Sequence, residues 1–167
     1  MSKKYKRYFL KAKEARAILR EMSAKLKINL EKEFGADAKI ELVQTDFGEF
    51  FLINGKPLLF KTEGNILPTL IFKELLASAP KVVVDMGAIP HVCNGADVMA
   101  PGVVRFEGSF SKGDLVFVVD EKHGKPIAVG EIAYSNAEIV KVKHGAVVKN
   151  LHFVGDKIWN YLRRFTT

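Results

Sequence analysis

The stretch of the chain that decides the fold runs from residue 84 to residue 103. It reads Val84-Asp85-Met86-Gly87-Ala88-Ile89-Pro90-His91-Val92-Cys93-Asn94-Gly95-Ala96-Asp97-Val98-Met99-Ala100-Pro101-Gly102-Val103. It holds two Gly-Ala pairs and, after them, a Pro-Gly pair, and the residues between the Gly-Ala pairs predict about two turns of helix. Glycine lacks a Cβ and tolerates positive φ, so it suits both sharp corners in a small barrel and close approach of a ligand. Both interpretations are open at this point.

The sequence around this stretch predicts a β-rich domain. Val82-Val83-Val84 is typical of a buried strand, and further strands are expected at 103–107, 114–120, 126–133 and about 146–154. Turn sequences, such as Ser111-Lys112-Gly113-Asp114, separate them. Short strands at this spacing indicate a small β-barrel or sandwich.

The first half of the chain predicts a mixture of helix and strand. Residues 5–10 are expected to form a strand. A helix is predicted from Ala12 to Gly35, because apolar residues recur every four positions at Ile18, Met22, Leu26, Leu30 and Phe34. Strands follow at 39–44, 50–53 and 57–60, the last two joined by an Asn54-Gly55 turn that is typical of a hairpin. Residues 65–68 are expected to lead into a helix through Leu76, with Pro68 in its first turn.

These patterns predict an α+β protein of two domains. The N-terminal α+β domain is expected at residues 1–78, a β-barrel domain at 79–160, and a C-terminal tail at 161–167. Phe50 and Phe51 point to opposite faces if they lie on a strand, so one of them could be exposed and contact another protein. Trp159 is expected to pack in the barrel or between the domains. Met86 and Met99 are expected to be core or hairpin-facing residues.

Positive charge is concentrated at the two ends of the chain. Residues 1–27 carry ten basic and two acidic side chains, residues 28–140 carry ten and sixteen, and residues 141–167 carry six and one; the whole chain has a net charge of +7. Such ends suit a polyanion such as RNA, although a lysine-rich surface also serves solubility. At helical spacing, Lys13, Arg16, Arg20 and Lys27 share one face, which is either a solvated helix back or a basic surface for RNA.

Several classes of protein do not fit this sequence. No apolar run approaches the roughly 18 residues of a membrane span, and the basic N-terminus lacks the apolar core of a signal peptide. The single cysteine, Cys93, permits no intramolecular disulfide and fits a reducing, cytoplasmic location. His91 and Cys93 diverge on a helix and do not form a nucleophile–base pair, and the histidines show no metal-ligand spacing. We therefore expect no catalytic residues, no metal site and no cofactor.

The Gly-rich stretch resembles the signature of the PUA domain, which is named for pseudouridine synthases and archaeosine transglycosylases. The matching elements are Asp85, Gly87-Ala88, Ile89, Val92, Gly95-Ala96, Val98-Met99, Pro101-Gly102, Lys112-Gly113-Asp114-Leu115-Val116, Ala128-Val129-Gly130 and Lys143-His144-Gly145-Ala146-Val147-Val148. The basic N-terminal half, Pro68-Thr69-Leu70 and the ending 150–159 are similar to the malignant T-cell amplified sequence family and its archaeal relatives. The resemblance implies a PUA-type β-barrel (a pseudobarrel) after the N-terminal domain.

The resemblance also implies where RNA would lie. The implied RNA-binding residues are Gly87, Ala88, His91, Asn94, Gly95, Ala96, Pro101 and Gly102, with Arg105, Lys143 and Lys149 supplying charge. Asp85 is expected to organise its turn through backbone amides instead.

The function that follows is that of a non-enzymatic RNA-binding protein of translation, contacting tRNA or small-subunit rRNA through the PUA domain. The resemblance implies the small ribosomal subunit and a protein with a SUI1-type domain as partners. Two alternatives remain: an accessory tRNA-binding subunit of an RNA-modifying enzyme, of the transglycosylase or pseudouridine synthase type, and an adaptor whose main surface binds protein.

Overall fold

A computed structural model describes residues 5–165 of the chain. The first half forms a five-stranded antiparallel meander in the order β1-β2-β3-β4-β5. Its strands are β1 (Arg7–Phe9), β2 (Ile40–Thr45), β3 (Gly48–Ile53), β4 (Lys56–Thr62) and β5 (Asn65–Pro68), and its helices are α1 (Ala12–Leu26), α2 (Leu30–Phe34) and α3 (Lys73–Ser78). The β3–β4 turn has positive φ at Asn54 and Gly55, which confirms the hairpin expected there.

The prediction of one helix from Ala12 to Gly35 is wrong. Helix α1 ends at Leu26, and Lys27 adopts a left-handed conformation with φ 57°. Asn29 then starts helix α2 by accepting a hydrogen bond from the Lys32 N–H at 3.1 Å. The four-residue repeat survives this break because Leu30 and Phe34 of α2 still pack on the same core as Met22 of α1.

The prediction that Pro68 lies in the first turn of a helix is also wrong. Residues 65–68 form the edge strand β5, in which Pro68 pairs with Leu59 of β4. Proline is tolerated at a sheet edge because its missing N–H removes no ladder bond there. Helix α3 begins five residues later, at Lys73.

The second half forms a curled six-stranded sheet in the order β7-β11-β10-β9-β6-β8. Its elements are β6 (Lys81–Val84), α4 (Ile89–Val92), β7 (Val98–Met99), β8 (Val103–Glu107), β9 (Leu115–Asp120), β10 (Pro126–Ile132), α5 (Asn136–Ile139), β11 (Ala146–Phe153) and α6 (Lys157–Leu162). Strands β7 and β8 lie at opposite edges of the sheet, yet only residues 100–102 separate them along the chain. Three residues span roughly 14 Å at most, so the sheet must curl until its edges meet.

The two halves pack on each other through apolar side chains. Phe117 and Val129 of the barrel belong to the same core as Leu70, Phe72 and Leu75 of the first half. The Lys27 ammonium contacts the Asp114 carboxylate across this junction, at 2.6 Å from Nζ to Oδ2. The boundaries 1–78, 79–160 and 161–167 nevertheless stay a prediction.

Helix α6 covers the second face of the five-stranded sheet. The Tyr161 ring stacks on Phe50 with 4.4 Å between centroids, while Phe51 packs on the other face, toward α1. Both phenylalanines are therefore buried, and the idea that one of them is an exposed contact for a partner is wrong. Trp159 packs against two hydrophobic clusters, one shared by the two halves and one beneath α6, as expected of a residue between the halves. Among residues 5–165, no helix is both long and apolar enough to cross a bilayer.

Candidate nucleic-acid interface

The Gly-rich stretch folds into a cleft on the barrel surface, which we call the Gly-rich cleft. Its volume is about 510 Å³. Six of the eleven residues predicted to bind RNA line it: Gly87, Ala88, His91, Ala96, Pro101 and Gly102. Between its two Gly-Ala pairs lies one helical turn, Ile89–Val92, where two turns were expected.

The three glycines of the Gly-rich stretch have different structural roles. Gly95 has a positive φ of +94°, and a Cβ added to it would lie only 3.3 Å from the Phe153 ring. The backbone there therefore requires glycine. At Gly102 an added Cβ would come within 3.3 Å of the Ala88 Cβ, so close packing explains it. Gly87 has neither constraint: its φ lies outside the left-handed region, and an added Cβ would meet only the Asp85 carboxylate, at 3.4 Å. The fold does not need glycine at Gly87, which leaves a bare, exposed stretch of backbone in the cleft.

Two carboxylates in the cleft are engaged by backbone N–H groups. The Asp85 Oδ1 accepts from the Ala88 N–H at 2.8 Å, which confirms the expected role of Asp85 in its turn. The Asp97 Oδ1 accepts from the Asn150 N–H of β11 at 2.9 Å. These bonds fix the shape of the loop, and the remaining oxygen lone pairs can accept from amino groups of a base.

Asn150 holds the Gly-rich stretch on the barrel, and sequence reasoning missed it. Its side-chain amide donates to the carbonyl oxygens of Val92 and Ala96, at 3.0 Å each. These two carbonyls lie at the end of α4 and in the turn after it, so one side chain of β11 holds both places. The signal in the sequence is only an asparagine that follows Lys149 in strand β11, and its partners lie more than fifty residues away.

The predicted residues outside the cleft lining are all at or near the surface. Asn94 and Gly95 are exposed in the turn after α4, and Lys149 is exposed on β11, opposite Glu131 of β10. Lys143 precedes β11 in a loop that borders the cleft, because the Gly145 carbonyl accepts from the Ala100 N–H at 2.9 Å. Arg105 lies on edge strand β8, with its Nε 4.0 Å from the Glu107 carboxylate.

Met86 and Met99 are exposed, so of the two expected placements, core or hairpin-facing, the core placement is wrong. Met86 is 43% exposed and Met99 is 50% exposed, and Met99 lines the cleft. On β7, Val98 is buried and Met99 points outward, as alternation along a strand requires. A flexible, polarizable thioether at this position offers an adaptable apolar wall.

The predicted basic face of α1 is only partly free. The Arg20 Nε contacts the Glu31 carboxylate at 3.2 Å, and Lys27 lies beyond the end of the helix, paired with Asp114. The pKa of Asp114 is lowered: burial opposes its charge, but hydrogen bonds from Lys27 and the Ser111 N–H outweigh burial. Within residues 5–165, Lys13 and Arg16 are exposed and form no ion pair.

Cys93 is half-buried against the barrel core, and burial raises the pKa of its thiol, so the reactive thiolate is disfavoured. In the part of the chain that the structure describes, no three His, Cys, Asp or Glu side chains are grouped to hold a metal ion.

Comparison with known proteins agrees with this architecture. Residues 80–154 match the PUA domain, and residues 6–73 match a domain of unknown function, DUF1947. Over 159 residues the chain is 43% identical to the uncharacterized protein MJ1432 of Methanocaldococcus jannaschii, covering 93% of this chain and 96% of that one. Over 132 residues it is 30% identical to translation machinery-associated protein 20 of Saccharomyces cerevisiae, covering 74% of this chain and 73% of that one.

The chain belongs to this family of PUA-domain proteins. Its relatives include malignant T-cell-amplified sequence 1-B of Xenopus laevis, which is 31% identical over 67% of this chain and 65% of that one, so the resemblance found in the sequence is confirmed. The crystal structure of the hypothetical protein PH0734.1 of Pyrococcus horikoshii is similar, with a TM-score of 0.79, 32% identity and coverage of 94% of this chain and 99% of that one. The α+β fold with a PUA domain is therefore established for this PUA-domain protein.

Proposed function

We propose that this protein is a non-enzymatic RNA-binding component of the translation machinery. In this proposal the Gly-rich cleft holds tRNA or small-subunit rRNA, and the protein works in the cytoplasm beside the small ribosomal subunit. A SUI1-type-domain protein is the proposed partner. Support comes from the PUA domain and from relatives named for their association with translation.

The bare backbone at Gly87 is the observation that carries this proposal. A glycine that the fold does not require stands exposed in a cleft whose lining also includes His91. Its N–H has no acceptor among residues 5–165 and can donate to a phosphate or a base. The exposed Met99 and Pro101 add apolar surface, and the spare lone pairs of Asp97 can accept from base amino groups. Together these groups fit a nucleotide better than a purely apolar peptide.

A separate electrostatic contribution is expected from α1. Lys13 and Arg16 carry the unpaired charge of this face, so they attract RNA of any sequence. Replacing both with glutamine should weaken the affinity for every RNA by a similar factor. It should also reduce the slope of log Kd against log salt concentration by about 1 to 2. The wild type itself should show a slope magnitude of roughly 2 to 3.

Anisotropy titrations of tRNA and of an unrelated RNA at several salt concentrations measure this slope. The control is a variant with Lys73→Gln and Lys157→Gln, which removes the same charge from α3 and α6. If the affinity for RNA does not depend on salt concentration, or if the control variant loses as much affinity as the α1 variant, then the α1 face does not contact RNA.

The protein-adaptor alternative has one observation in its favour. Strand β1 lies at the edge of the five-stranded sheet, and all three of its residues are exposed, so a partner protein could reach it. Partner binding that survives nuclease treatment and high salt would favour that alternative, whereas co-sedimentation with ribosomes that is lost after nuclease treatment favours the RNA-binding role. Capture of a transglycosylase or pseudouridine synthase would favour the modification-enzyme subunit.

A further inference from the structure

The two edges of the five-stranded sheet differ in how their outward backbone groups are used. At the β5 edge the last three residues of the strand are buried, and the Lys25 ammonium donates to the Ile66 carbonyl oxygen at 2.7 Å. Pro68 has no N–H to leave unpaired there. At the β1 edge, by contrast, all three residues of the strand are exposed. The sheet therefore has one covered edge and one open edge, and an open edge can pair with a further strand.

The open backbone groups of β1 belong to Arg7 and Phe9. The Lys6 carbonyl accepts from β2 at 2.9 Å, and the Leu10 N–H donates to β2 at 2.8 Å. Since alternate residues of an antiparallel strand bond to the same neighbour, Tyr8 also pairs with β2. The N–H and C=O groups of Arg7 and Phe9 point away from β2, and their N–H groups have no acceptor within residues 5–165. These donors and acceptors have the spacing that a further strand requires.

Two aromatic side chains flank the open edge, one on each face of the sheet. Tyr8 lies opposite Leu42, which packs in the core with α1, so its ring is on the α1 face. Phe9 lies opposite Glu41 and is on the other face, which α6 covers farther along the sheet. Tyr8 is 45% and Phe9 is 63% exposed, although most large apolar side chains here are buried. A strand added at β1 would cover both rings, because cross-strand neighbours on each face lie about 5 Å apart.

The charge around the open edge indicates the chemistry of its partner. Residues 5–16 carry five basic side chains and one acidic side chain. Arg7 is engaged by the Glu41 carboxylate through two bonds, at 2.8 and 3.1 Å. Lys6 precedes β1 and Lys11 follows it; both are exposed, and neither forms an ion pair within residues 5–165. These lysines attract carboxylates, whereas a second copy of the chain would bring like charges together.

We propose that the β1 edge binds an extended, acidic segment of a partner protein, which adds to the sheet as a sixth strand. The backbone of the segment pairs with the open groups of Arg7 and Phe9. Its apolar side chains cover the two exposed rings, and its carboxylates lie near Lys6 and Lys11. An RNA strand fits less well, because phosphates accept hydrogen bonds but cannot donate to the two open carbonyls. The proposal goes beyond the proposed RNA-binding function, since it uses no residue of the Gly-rich cleft.

The test titrates the full chain with a fluorescein-labelled ten-residue peptide of alternating glutamate and valine. The wild type should bind this peptide saturably. A peptide with lysine in place of glutamate should bind at least about tenfold more weakly, because its charge is reversed. A glutamate–valine peptide that is N-methylated at every central residue should also bind at least about tenfold more weakly, because it cannot donate to the carbonyls of β1.

Phe9→Pro tests the same contact from the protein side. Proline removes the outward N–H of residue 9 and leaves the bonds between β1 and β2 intact, because that N–H does not face β2. The Kd for the glutamate–valine peptide should rise at least about tenfold. Phe9→Val is the matched control: it keeps the N–H and an apolar side chain, so the Kd should change less than about threefold. Circular dichroism and urea unfolding establish that both variants are folded, and the N-methylated peptide tests the wild type independently of them.

NMR of the ¹⁵N-labelled protein gives a separate readout. The Arg7 and Phe9 amides should shift and exchange more slowly with solvent when the glutamate–valine peptide binds. Equal affinity for the N-methylated peptide, or wild-type affinity in folded Phe9→Pro, would overturn the proposal. So would protection of these amides by single-stranded oligoadenylate and not by the peptide, which would make the occupant RNA. A wild-type dimer in sedimentation that Phe9→Pro dissociates would make the occupant a second copy and overturn it as well. Each of these results leaves the RNA-binding role of the Gly-rich cleft to its own tests.

Discussion

Replacing Ala96 with glutamate should weaken binding of tRNA or rRNA by roughly 30-fold, or about 2 kcal/mol, because it adds bulk and negative charge inside the Gly-rich cleft. Ala96 is exposed there, beside Asp97, and its backbone is held by a bond from its N–H to the His91 carbonyl at 3.0 Å. The new side chain therefore points into the cleft without displacing the core. The loss should be larger for the preferred RNA than for an arbitrary one, since base contacts carry specificity.

The control for Ala96→Glu is Ala137→Glu, which adds the same charge at an exposed alanine of α5. Anisotropy titrations with tRNA and with an unrelated RNA of equal length measure the effect, after urea unfolding has shown that both variants are folded. Wild-type affinity in a folded Ala96→Glu variant would mean that the Gly-rich cleft does not hold RNA. The first half of the chain would then be the better candidate for the RNA site, and the barrel a surface for protein.

The largest loss of stability is expected at His152, a fully buried residue of β11. Its Nε2 accepts from the Leu70 N–H at 3.2 Å, and its Nδ1 lies 2.8 Å from the Asp156 Oδ2. Since Nε2 is an acceptor, the proton is on Nδ1 and is donated to Asp156. One imidazole therefore joins the segment before α3, strand β11 and the start of α6, where Asp156 caps the helix through the Trp159 N–H.

His152→Leu should lower the free energy of unfolding by about 3 kcal/mol, because it leaves the Leu70 N–H and the Asp156 carboxylate without their partner. Urea unfolding followed by circular dichroism measures this loss. The control is His144→Leu, since His144 is exposed before β11 and its replacement should change stability by less than about 0.5 kcal/mol. Equal stability of the two variants would show that the buried contact does not hold the halves together.

Acid should act on the same contact. Burial opposes the charge of Asp156, but hydrogen bonds from His152 and from the Trp159 and Phe153 N–H groups outweigh it and lower its pKa. A carboxylate with a lowered pKa stabilises the fold fully above its unfolded value of about 3.9, and this stabilisation is lost as the pH falls through the lowered pKa. The pH dependence of stability in this acid range should be weaker in His152→Leu than in the wild type.

Much of the fold could be predicted because the sequence signals are local. The Asn54-Gly55 turn fixes a hairpin by its own φ preference, and the Gly-Ala and Pro-Gly pairs mark the barrel. The features that were predicted wrongly depend on contacts between residues far apart in the sequence. The break after Leu26 is accompanied by a pair between Lys27 and Asp114, 87 residues away. Phe50 is buried because α6 returns from the end of the chain to cover it.

In the candidate site, too, the local part could be predicted from the sequence and the part that depends on distant residues could not. Residues adjacent in sequence, such as Gly87 and Ala88, lie together in the cleft, since a loop of this length keeps its members close. Asn150, which positions the loop, is distant in sequence and carries no recognisable motif. The pairing of Arg20 with Glu31 likewise depends on the break between α1 and α2, which the periodicity of apolar residues does not reveal.

The measurement that tests the central claim most directly is an NMR titration of the ¹⁵N-labelled protein with an unmodified tRNA transcript and, in parallel, with a small-subunit rRNA fragment. Amide signals of residues 85–102 and of Asn150 should shift or broaden most, at substoichiometric RNA, with smaller changes on α1. In Ala96→Glu the changes at 85–102 should be lost while those on α1 persist. Changes confined to the first half of the chain, with the signals of 85–102 unmoved at saturating RNA, would contradict the assignment of the Gly-rich cleft as the RNA site.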